Sequence, residues 1–267
     1  MSQVELEHGA ATDVGRVRRV NEDASLAAPP VFVVADGMGG YQGGDVASAI
    51  VVEEFRRLAD DGYDPRRGAE VVAATLAACQ ERITAFIAEQ RAGGAAGYQA
   101  GTTAVVALLV EDDEGPRWLL ANLGDSRIYR WAGGRLDRVS VDHSLVQELI
   151  DAGRITAAQA AVHPHRHVVT RALGGDFADA DYFLLPVTAG ERLLLCSDGV
   201  TEMLDDARVA AVLADAAGAS AAAEALVAAA VEAGGRDNAT AVVVDVLGLV
   251  PPPADPTPER TPGDPGE

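Results

Sequence analysis

The close spacing of β-type runs in the middle of the chain is the strongest constraint on its fold. Three runs, Thr102–Glu111, Arg117–Leu123 and Ser126–Ala132, follow one another with only a few residues between them, and a fourth comes after the Gly133–Gly134 turn. A crossover between parallel strands needs roughly a dozen residues or more. We therefore expect these strands to pair in an antiparallel sheet.

Helical and β-type patterns occur on both sides of this segment. Val31–Asp36 is a short apolar run that predicts a buried strand, and two amphipathic helical patterns follow it, one from Asp45 onward and one from Val72 to Phe86. The later patterns are strands at Asp181–Val187, Arg192–Ser197 and Ala239–Leu247, with alanine-rich helices at Ala207–Ala216 and Ser220–Ala233. This order predicts an α+β fold, a four-layer αββα sandwich in which two antiparallel β-sheets are flanked by helix pairs.

Length and composition fit one folded domain followed by a tail. The 267 residues are 48% apolar, enough for a sizeable core, and we expect the domain to occupy residues 1–250. Residues 251–267 are rich in proline and acidic residues, which predicts a disordered tail. Two cysteines in apolar contexts, together with the lack of an apolar signal segment or membrane span, favour a cytoplasmic protein.

The charged residues exclude several functional classes. A formal net charge of −20 opposes binding to nucleic acid and to anionic lipid. All 21 basic residues are arginine. Because Walker A loops, protein kinases and Schiff-base enzymes each need a lysine, the absence of lysine excludes all three.

Carboxylates stand at the ends of several predicted strands. They are Asp36, Asp125 and Asp198 after apolar runs, Asp237 before one, and the Glu22–Asp23 pair ahead of the first buried strand. A single aspartate beside a glycine is usually a turn or cap residue. Several at strand ends can converge on one rim of a sandwich, where they repel one another unless cations neutralise them. Oxygen ligands alone favour Mg²⁺ or Mn²⁺ ahead of Ca²⁺.

An ordered set of motifs carries a resemblance to a known family. The motifs are GRVRRVNED (15–23), VVADGMGG (33–40), GTTAVV (101–106), ANLGDSRIY (121–129), DHS (142–144), TRALG (170–174), LLLCSDGV (193–200) and GGRDNATAVVV (234–244). Over roughly Glu5 to Leu247, this set resembles the PP2C-type (PPM) metal-dependent serine/threonine protein phosphatases, and most of all their compact bacterial branch. The resemblance implies two antiparallel sheets between helix pairs, with a metal cluster at one rim.

The resemblance also implies which residues bind the metal ions. Asp36 would bridge two Mn²⁺ or Mg²⁺ ions, and the Gly37 carbonyl would bind one of them. Glu22 would ligate the second ion. Asp198 and Asp237 would complete the coordination sphere of the first.

Three further roles follow from the same motifs. Asp23 would hold metal-bound water, Arg18 would grip the substrate phosphate, and Asp125 would hold a third ion together with Asp198. The implied reaction is hydrolysis of phosphoserine and phosphothreonine on proteins by a metal-activated water at a binuclear or trinuclear centre. Bacterial serine/threonine kinases and their targets are the expected partners, whose signalling the enzyme would reverse. A plain surface charge is the alternative for Arg18, because two more arginines stand beside it.

Two positions depart from the family pattern. Met38 stands where some members carry a histidine able to protonate the leaving group, so the motifs do not identify the general acid. We expect Met38 to pack as an apolar side chain. His163, His165 and His167 alternate in a segment that resembles the flap of bacterial members. Three imidazoles on one face could bind zinc, but Pro164 disturbs such a strand, and we expect these histidines to be solvated.

Three other functions conflict with these motifs. A HAD-type phosphatase needs a nucleophilic aspartate two residues before Asp198, where Cys196 stands. A pseudo-phosphatase that binds phosphoproteins without turnover predicts missing metal ligands, whereas all the matched acids are present. A calcium-stabilised structural domain of the EF-hand kind needs a 12-residue ligand loop, which this sequence lacks. His143, in the DHS motif, is expected to hold a loop by a hydrogen bond.

Overall fold

The predicted antiparallel pairing is confirmed in the computed structural model, which describes residues 3–39 and 43–250. The strands are β1 (Gln3–Asp13), β2 (Asp23–Ala28), β3 (Val31–Met38), β4 (Gly101–Thr102), β5 (Ala104–Asp112), β6 (Gly115–Leu123), β7 (Arg127–Ala132), β8 (Arg135–Arg138), β9 (Asp181–Pro186), β10 (Arg192–Cys196) and β11 (Ala239–Val250). The helices are α1 (Gly44–Asp61), α2 (Gly68–Ala92), α3 (Leu145–Asp151), α4 (Ala157–Ala160), α5 (Asp198–Thr201), α6 (Asp206–Asp215) and α7 (Ala219–Glu232). The predicted tail, residues 251–267, lies outside the described residues.

The strands form two antiparallel sheets. One sheet has the strand order β1-β11-β10-β7-β8, and the other has the order β2-β3-β5-β6-β9, with the short β4 paired to β3. The predicted hairpin across Gly133–Gly134 joins β7 to β8, and both glycines have positive φ, as this tight turn requires. The predicted α+β class with two antiparallel sheets is therefore confirmed.

Apolar side chains make three packed layers, so the four-layer sandwich is also confirmed. Phe32 and Trp118 are fully buried between the two sheets, with their rings edge to face. Val51 of α1 belongs to the layer between the second sheet and the α1–α2 pair. Leu226 of α7 belongs to the layer that joins α6 and α7 to the first sheet.

Two strands were missed by the sequence patterns. β1 pairs along its length with β11, from Gln3↔Val250 to Asp13↔Ala239. It is an edge strand that carries Glu5 and Glu7 on its exposed face, so its pattern is too polar to read as a buried strand. β2 is also an edge strand, with one fully buried residue, Leu26.

The segment Pro65–Ala92 is long and apolar enough to cross a membrane by length and composition alone. In this fold it forms a 3-10 turn followed by α2, whose residues Val72, Leu76, Cys79 and Ile83 belong to the apolar layer against the second sheet. A single such helix is weak evidence for a membrane span, because helices that cover a protein core pass the same test.

Candidate metal centre

The structure brings the predicted strand-end carboxylates together at one edge of the double sheet. β2 and β3 pair with Asp23 opposite Asp36, Asp125 lies in the turn between β6 and β7, and Asp198 directly follows β10. Burial raises the pKa of Asp36 well above its usual range, and the nearby charges that raise it further are those of Asp198, Asp23, Asp125 and Asp237. The predicted convergence on one rim therefore holds for all of these aspartates.

The backbone of Asp36 is fixed by two threonines of the neighbouring strand. The Asp36 N–H donates to Thr103 Oγ1 (3.0 Å), and the Asp36 carbonyl accepts from the Thr103 N–H (2.9 Å) and from Thr102 Oγ1 (2.9 Å). Both threonines are fully buried. Because the strand end is held on both sides, the Asp36 side chain is carried by a rigid element.

Asp23 is a buried carboxylate with one unsatisfied oxygen. Its Oδ2 accepts a hydrogen bond from Ser197 Oγ (2.7 Å), whereas Oδ1 is buried with no partner among the described residues. Burial raises the pKa of Asp23 to about 6, against the lowering effect of the neighbouring Thr240 and Ser197 hydroxyls. An oxygen left in this state needs a cation or water to complete it.

Glu22 and Gly37 meet where β3 leads toward α1. The Gly37 N–H donates to the Glu22 carbonyl (3.2 Å), and a Cβ on Gly37 would lie 2.2 Å from the Gly44 carbonyl oxygen, so no larger residue fits. A Cβ on Gly44 would lie 2.7 Å from Glu22 Oε1. Burial, followed by the charge of Asp45, raises the pKa of Glu22.

Arg18 lies beside the cluster and pairs with Asp237. Its Nη2 donates to Asp237 Oδ2 at 2.6 Å, and this hydrogen bond is the main cause of a raised Arg18 pKa. The Arg18 side chain is 50% exposed. The guanidinium is thus anchored to a predicted metal ligand while it faces solvent, the placement expected of a group that receives a phosphate. Of the three neighbouring arginines, Arg18, the first residue of the RxxNED motif, is the one paired with Asp237.

Asn238 is a functional residue whose role the sequence left open. Its Oδ1 accepts from the Glu22 N–H (2.9 Å), and its Nδ2 donates to the carbonyls of Val14 (2.9 Å) and Val20 (3.0 Å). The side chain is nearly fully buried. Asn238 therefore clamps the loop that carries Arg18 and Glu22, a role that no local pattern predicts because the loop is over 200 residues away.

A second group of acids lies on the other side of the rim. Burial raises the pKa of Asp125 to about 6, and the charges of Asp142 and Glu202 raise it as well. Burial also raises the pKa of Asp198 well above its usual range, followed by the charges of Asp125 and Glu202. Glu202, which the sequence analysis did not single out, therefore belongs to this group.

The flap, residues 144–174 with α3 and α4, brings one histidine to this group. His167 Nδ1 lies 2.5 Å from Glu202 Oε1, and ligand atoms of His167, Asp198 and Glu202 all lie within 4.8 Å of one another. His163 and His165 instead contact each other, with ring centroids 5.7 Å apart. His163 is half-buried and His165 and His167 are exposed, as expected for solvated side chains, and His167 in addition contacts Glu202.

Met38 and His143 occupy structural positions. Met38 is half-buried beside Gly101, its pairing partner in β4, as expected for an apolar side chain that packs. His143 is buried: its Nδ1 accepts from the Gly124 N–H (3.2 Å), so Nε2 donates to Asp181 Oδ2 (3.1 Å). His143 thus holds the Gly124–Asp125 turn, as expected.

These residues fit a set of divalent ions. Their donors are carboxylate oxygens and a glycine carbonyl, the ligands that Mg²⁺ and Mn²⁺ prefer. Burial of the carboxyl group, followed by nearby like charge, raises the pKa of Asp23, Asp36, Asp125 and Asp198, and Asp23 Oδ1 has no partner among the described residues. Bound cations would remove both the repulsion and the unsatisfied oxygen.

The fold and this site together define a class, the αββα proteins that gather metal-binding carboxylates at strand ends, here beside a half-exposed arginine. The sequence profile of the protein phosphatase 2C family matches residues 17–233. The chain belongs to this family, so the resemblance drawn from the motifs is confirmed.

Two curated relatives and a solved structure are similar to this chain. The serine/threonine protein phosphatase PstP of Mycobacterium tuberculosis is 35% identical over 243 residues, covering 91% of this chain and 45% of PstP. The serine/threonine phosphatase Stp of Listeria innocua is 33% identical, covering 88% of this chain and 93% of Stp. The crystal structure of the PstP catalytic domain with two manganese ions is 32% identical with a TM-score of 0.79, covering 92% of this chain and 99% of that one. This chain thus spans about half of the full PstP sequence.

Proposed function

We propose that this protein hydrolyses phosphoserine and phosphothreonine on proteins, at a centre of two Mn²⁺ or Mg²⁺ ions. The observation that carries the proposal is the rim of buried, mutually repelling carboxylates with Arg18 bound to one of them. Family membership and the two manganese ions in the PstP catalytic domain support the same assignment.

Each ligand has a role in this proposal. Asp36, whose carboxyl is surrounded by the other acids of the cluster, would bind both ions, and the Gly37 carbonyl would bind one of them. Glu22 would hold the second ion, and Asp198 and Asp237 would hold the first. When bound, the ions supply positive charge that lowers the pKa of water and offsets charge on the phosphoryl oxygens.

Two neighbouring side chains would bind the phosphate and orient the attacking water. Arg18 presents its guanidinium to the phosphate, because its half-exposed side chain is anchored through Nη2 alone to Asp237. Asp23 is held by Ser197 Oγ, and its free Oδ1 can accept a proton or a hydrogen bond from the attacking water. No side chain is assigned to protonate the leaving oxygen, since Met38 cannot do so.

A third ion is part of the proposal. Asp125 and Asp198 repel each other and Glu202, and the His167 imidazole lies against Glu202. Asp198, Glu202 and His167 are close enough to share one ion, with Asp125 beside them. Because imidazole binds Mn²⁺ and other transition ions better than Mg²⁺, this site favours Mn²⁺.

The biological setting is proposed on the family alone. Relatives of this chain are named serine/threonine phosphatases, so phosphoproteins made by bacterial serine/threonine kinases are the proposed substrates, and reversal of that signalling the proposed role. A cytoplasmic setting fits the two buried free thiols, Cys79 and Cys196.

One assay tests the function. Phosphate release from a phosphothreonine peptide is measured with Mn²⁺, with Mg²⁺ and with EDTA, for the wild type and Arg18→Ala. We expect turnover with Mn²⁺, none with EDTA, and a rise in KM for the variant, because the phosphate loses a bidentate partner. Turnover that persists in EDTA would refute the metal assignment. Metal binding without turnover across peptides would favour a phosphoprotein-binding module.

A further inference from the structure

The pairing of arginines is uneven over this molecule. Most arginines have an acidic partner, such as Arg127 with Asp142 at 2.7 Å and Arg192 with Asp245 at 2.5 Å. In the part of the chain that the structure describes, seven have no side-chain hydrogen bond or ion pair: Arg16, Arg19, Arg56, Arg154, Arg166, Arg208 and Arg236. In a chain with 41 acidic and 21 basic residues, a basic side chain without an acidic partner calls for an explanation.

Two of these arginines line one cavity beside the metal centre. The cavity has a volume of about 790 Å³ and lies between the rim of the sheets and the flap. Asp125 and Asp198 lie at the rim side, and Arg166 and Arg236 contribute the unpaired guanidinium groups. Because Asp125 and Asp198 line the same cavity, a molecule held by Arg236 would also lie next to the proposed metal site.

The flap supplies an apolar wall to the same cavity. Val146 and Ile150 of α3 line it, together with Val162, which is 81% exposed. The volume is in the range of sites that hold a few amino-acid residues or a small ligand, roughly 300–1,000 Å³. A phosphorylated side chain at the ions would place the residues next to it along this wall.

The other charged residues of the cavity have a polar partner or lie in the proposed metal site. Arg127 and Arg138 both face Asp142, at 2.7 and 3.7 Å, and Glu202 contacts His167. Metal ions would neutralise Asp125 and Asp198. Arg166 and Arg236 are then the charged residues lining the cavity that have no side-chain partner among the described residues, and both are positive.

We propose that this cavity binds the substrate segment next to the phosphorylated residue, and that Arg166 and Arg236 select an aspartate or glutamate in that segment. The inference rests on the proposed function, because it needs the phosphate at the ions. The negative surface elsewhere repels acidic peptides, so this positive pair also sets where such a peptide docks.

The test compares two phosphothreonine peptides that differ only in flanking charge. One carries glutamates on both sides of the phosphothreonine, and the other carries glutamines at the same positions. The ratio of their kcat/KM values is measured with Mn²⁺ for the wild type, Arg166→Gln, Arg236→Gln and the double variant. A general loss of activity cancels in this ratio. Arg154→Gln and Arg208→Gln are the matched controls, since these unpaired arginines do not line the cavity.

We expect the wild type to prefer the glutamate peptide by roughly tenfold, as one charge-assisted hydrogen bond allows. In each single variant the logarithm of the kcat/KM ratio should fall by about half, and in the double variant the ratio should approach one. Added salt should lower the wild-type ratio. The controls should keep the wild-type ratio. A wild-type ratio near one, or an unchanged ratio in the double variant, would overturn the proposal.

Two further measurements keep the outcomes separate. A peptide with a second phosphothreonine in place of the glutamates tests the alternative anion, and a preference for that peptide alone would refute selection of carboxylates. If the wild type hydrolyses neither peptide, the proposed function fails. Fluorescence anisotropy of the labelled glutamate and glutamine peptides then measures the cavity's preference by itself, and equal affinities would refute it too.

Discussion

The two sides of the metal centre are built differently. On the loop side, Asp23 accepts from Ser197, the Glu22 backbone is held by Asn238, and Asp237 accepts from Arg18. On the flap side, Asp198 is surrounded by the charges of Asp125 and Glu202, and the neighbouring imidazole of His167 comes from a side chain that is 48% exposed. The loop side is organised before ions bind, whereas the flap side depends on an exposed segment. We therefore expect the two sides to respond differently to mutation.

The largest effect is expected at Asp36, because charged groups on both sides of the metal centre raise the pKa of its carboxyl. Asp36→Asn should lower phosphopeptide turnover roughly a thousandfold, since both proposed ions lose a shared ligand. The same change should raise the melting temperature of the EDTA-treated protein by several degrees at pH 8, because one repelling carboxylate is gone. Calorimetry and a turnover assay check the two parts. A variant that loses activity and also melts lower in EDTA would contradict the charge argument.

Next in size is the pH dependence of the metal-free protein. The folded-state pKa values of Asp23 and Asp125 are about 6, above the usual range, so the folded protein binds more protons than the unfolded chain between about pH 4 and pH 6. Their contribution to stability is complete below that window and is lost as the pH rises through it. The loss is on the order of 3 kcal/mol for each group.

Urea unfolding in EDTA at several pH values measures this slope. Asp23→Asn is the control, since it removes one titrating group and should flatten the slope. Saturating Mn²⁺ should reverse the trend, because the ions bind the deprotonated carboxylates. A slope that is the same in the variant and the wild type would show that Asp23 does not titrate in this window.

A smaller effect is expected from Asn238→Ala, which tests the organised side. Three buried hydrogen bonds to the 14–22 loop are lost, so unfolding free energy should fall by about 2 kcal/mol and Mn²⁺ affinity about tenfold. Asn122→Ala is the matched change on the flap side, where Asn122 Nδ2 binds the carbonyls of Gly124 and Val141. Asn122→Ala should lower the unfolding free energy by a comparable amount, with a smaller effect on the affinity for the first two Mn²⁺ ions. Equal losses of Mn²⁺ affinity would remove the distinction between the sides.

The smallest effect is expected at His167. His167→Ala should weaken binding of the third Mn²⁺ about tenfold and leave the first two unchanged, because one of its ligands is lost. Nitrogen coupling in the electron paramagnetic resonance spectrum of bound Mn²⁺ should disappear with it. His165→Ala, on the same flap, should keep both signals. A third ion that binds the variant as tightly as the wild type would contradict the assignment.

Much of this arrangement followed from local sequence. Apolar runs that end in Asp36, Asp125 and Asp198 predicted both the strands and the carboxylate rim, because strand ends of a sandwich meet at one edge. The flanking helices α1, α2, α6 and α7 followed from helical periodicity. The edge strands β1 and β2 did not, because an edge strand that faces solvent carries a polar pattern.

By itself the sequence determined which chemistry is possible: oxygen ligands for hard cations, no lysine for nucleotide or Schiff-base chemistry, and an arginine beside the acids. Tertiary structure decided which residues meet. The Asn238 clamp on the 14–22 loop, the His167–Glu202 contact and the Arg166–Arg236 cavity each join segments far apart in the chain. Local periodicity records only which face of an element is buried, whereas these contacts depend on how the sheets and the flap pack together.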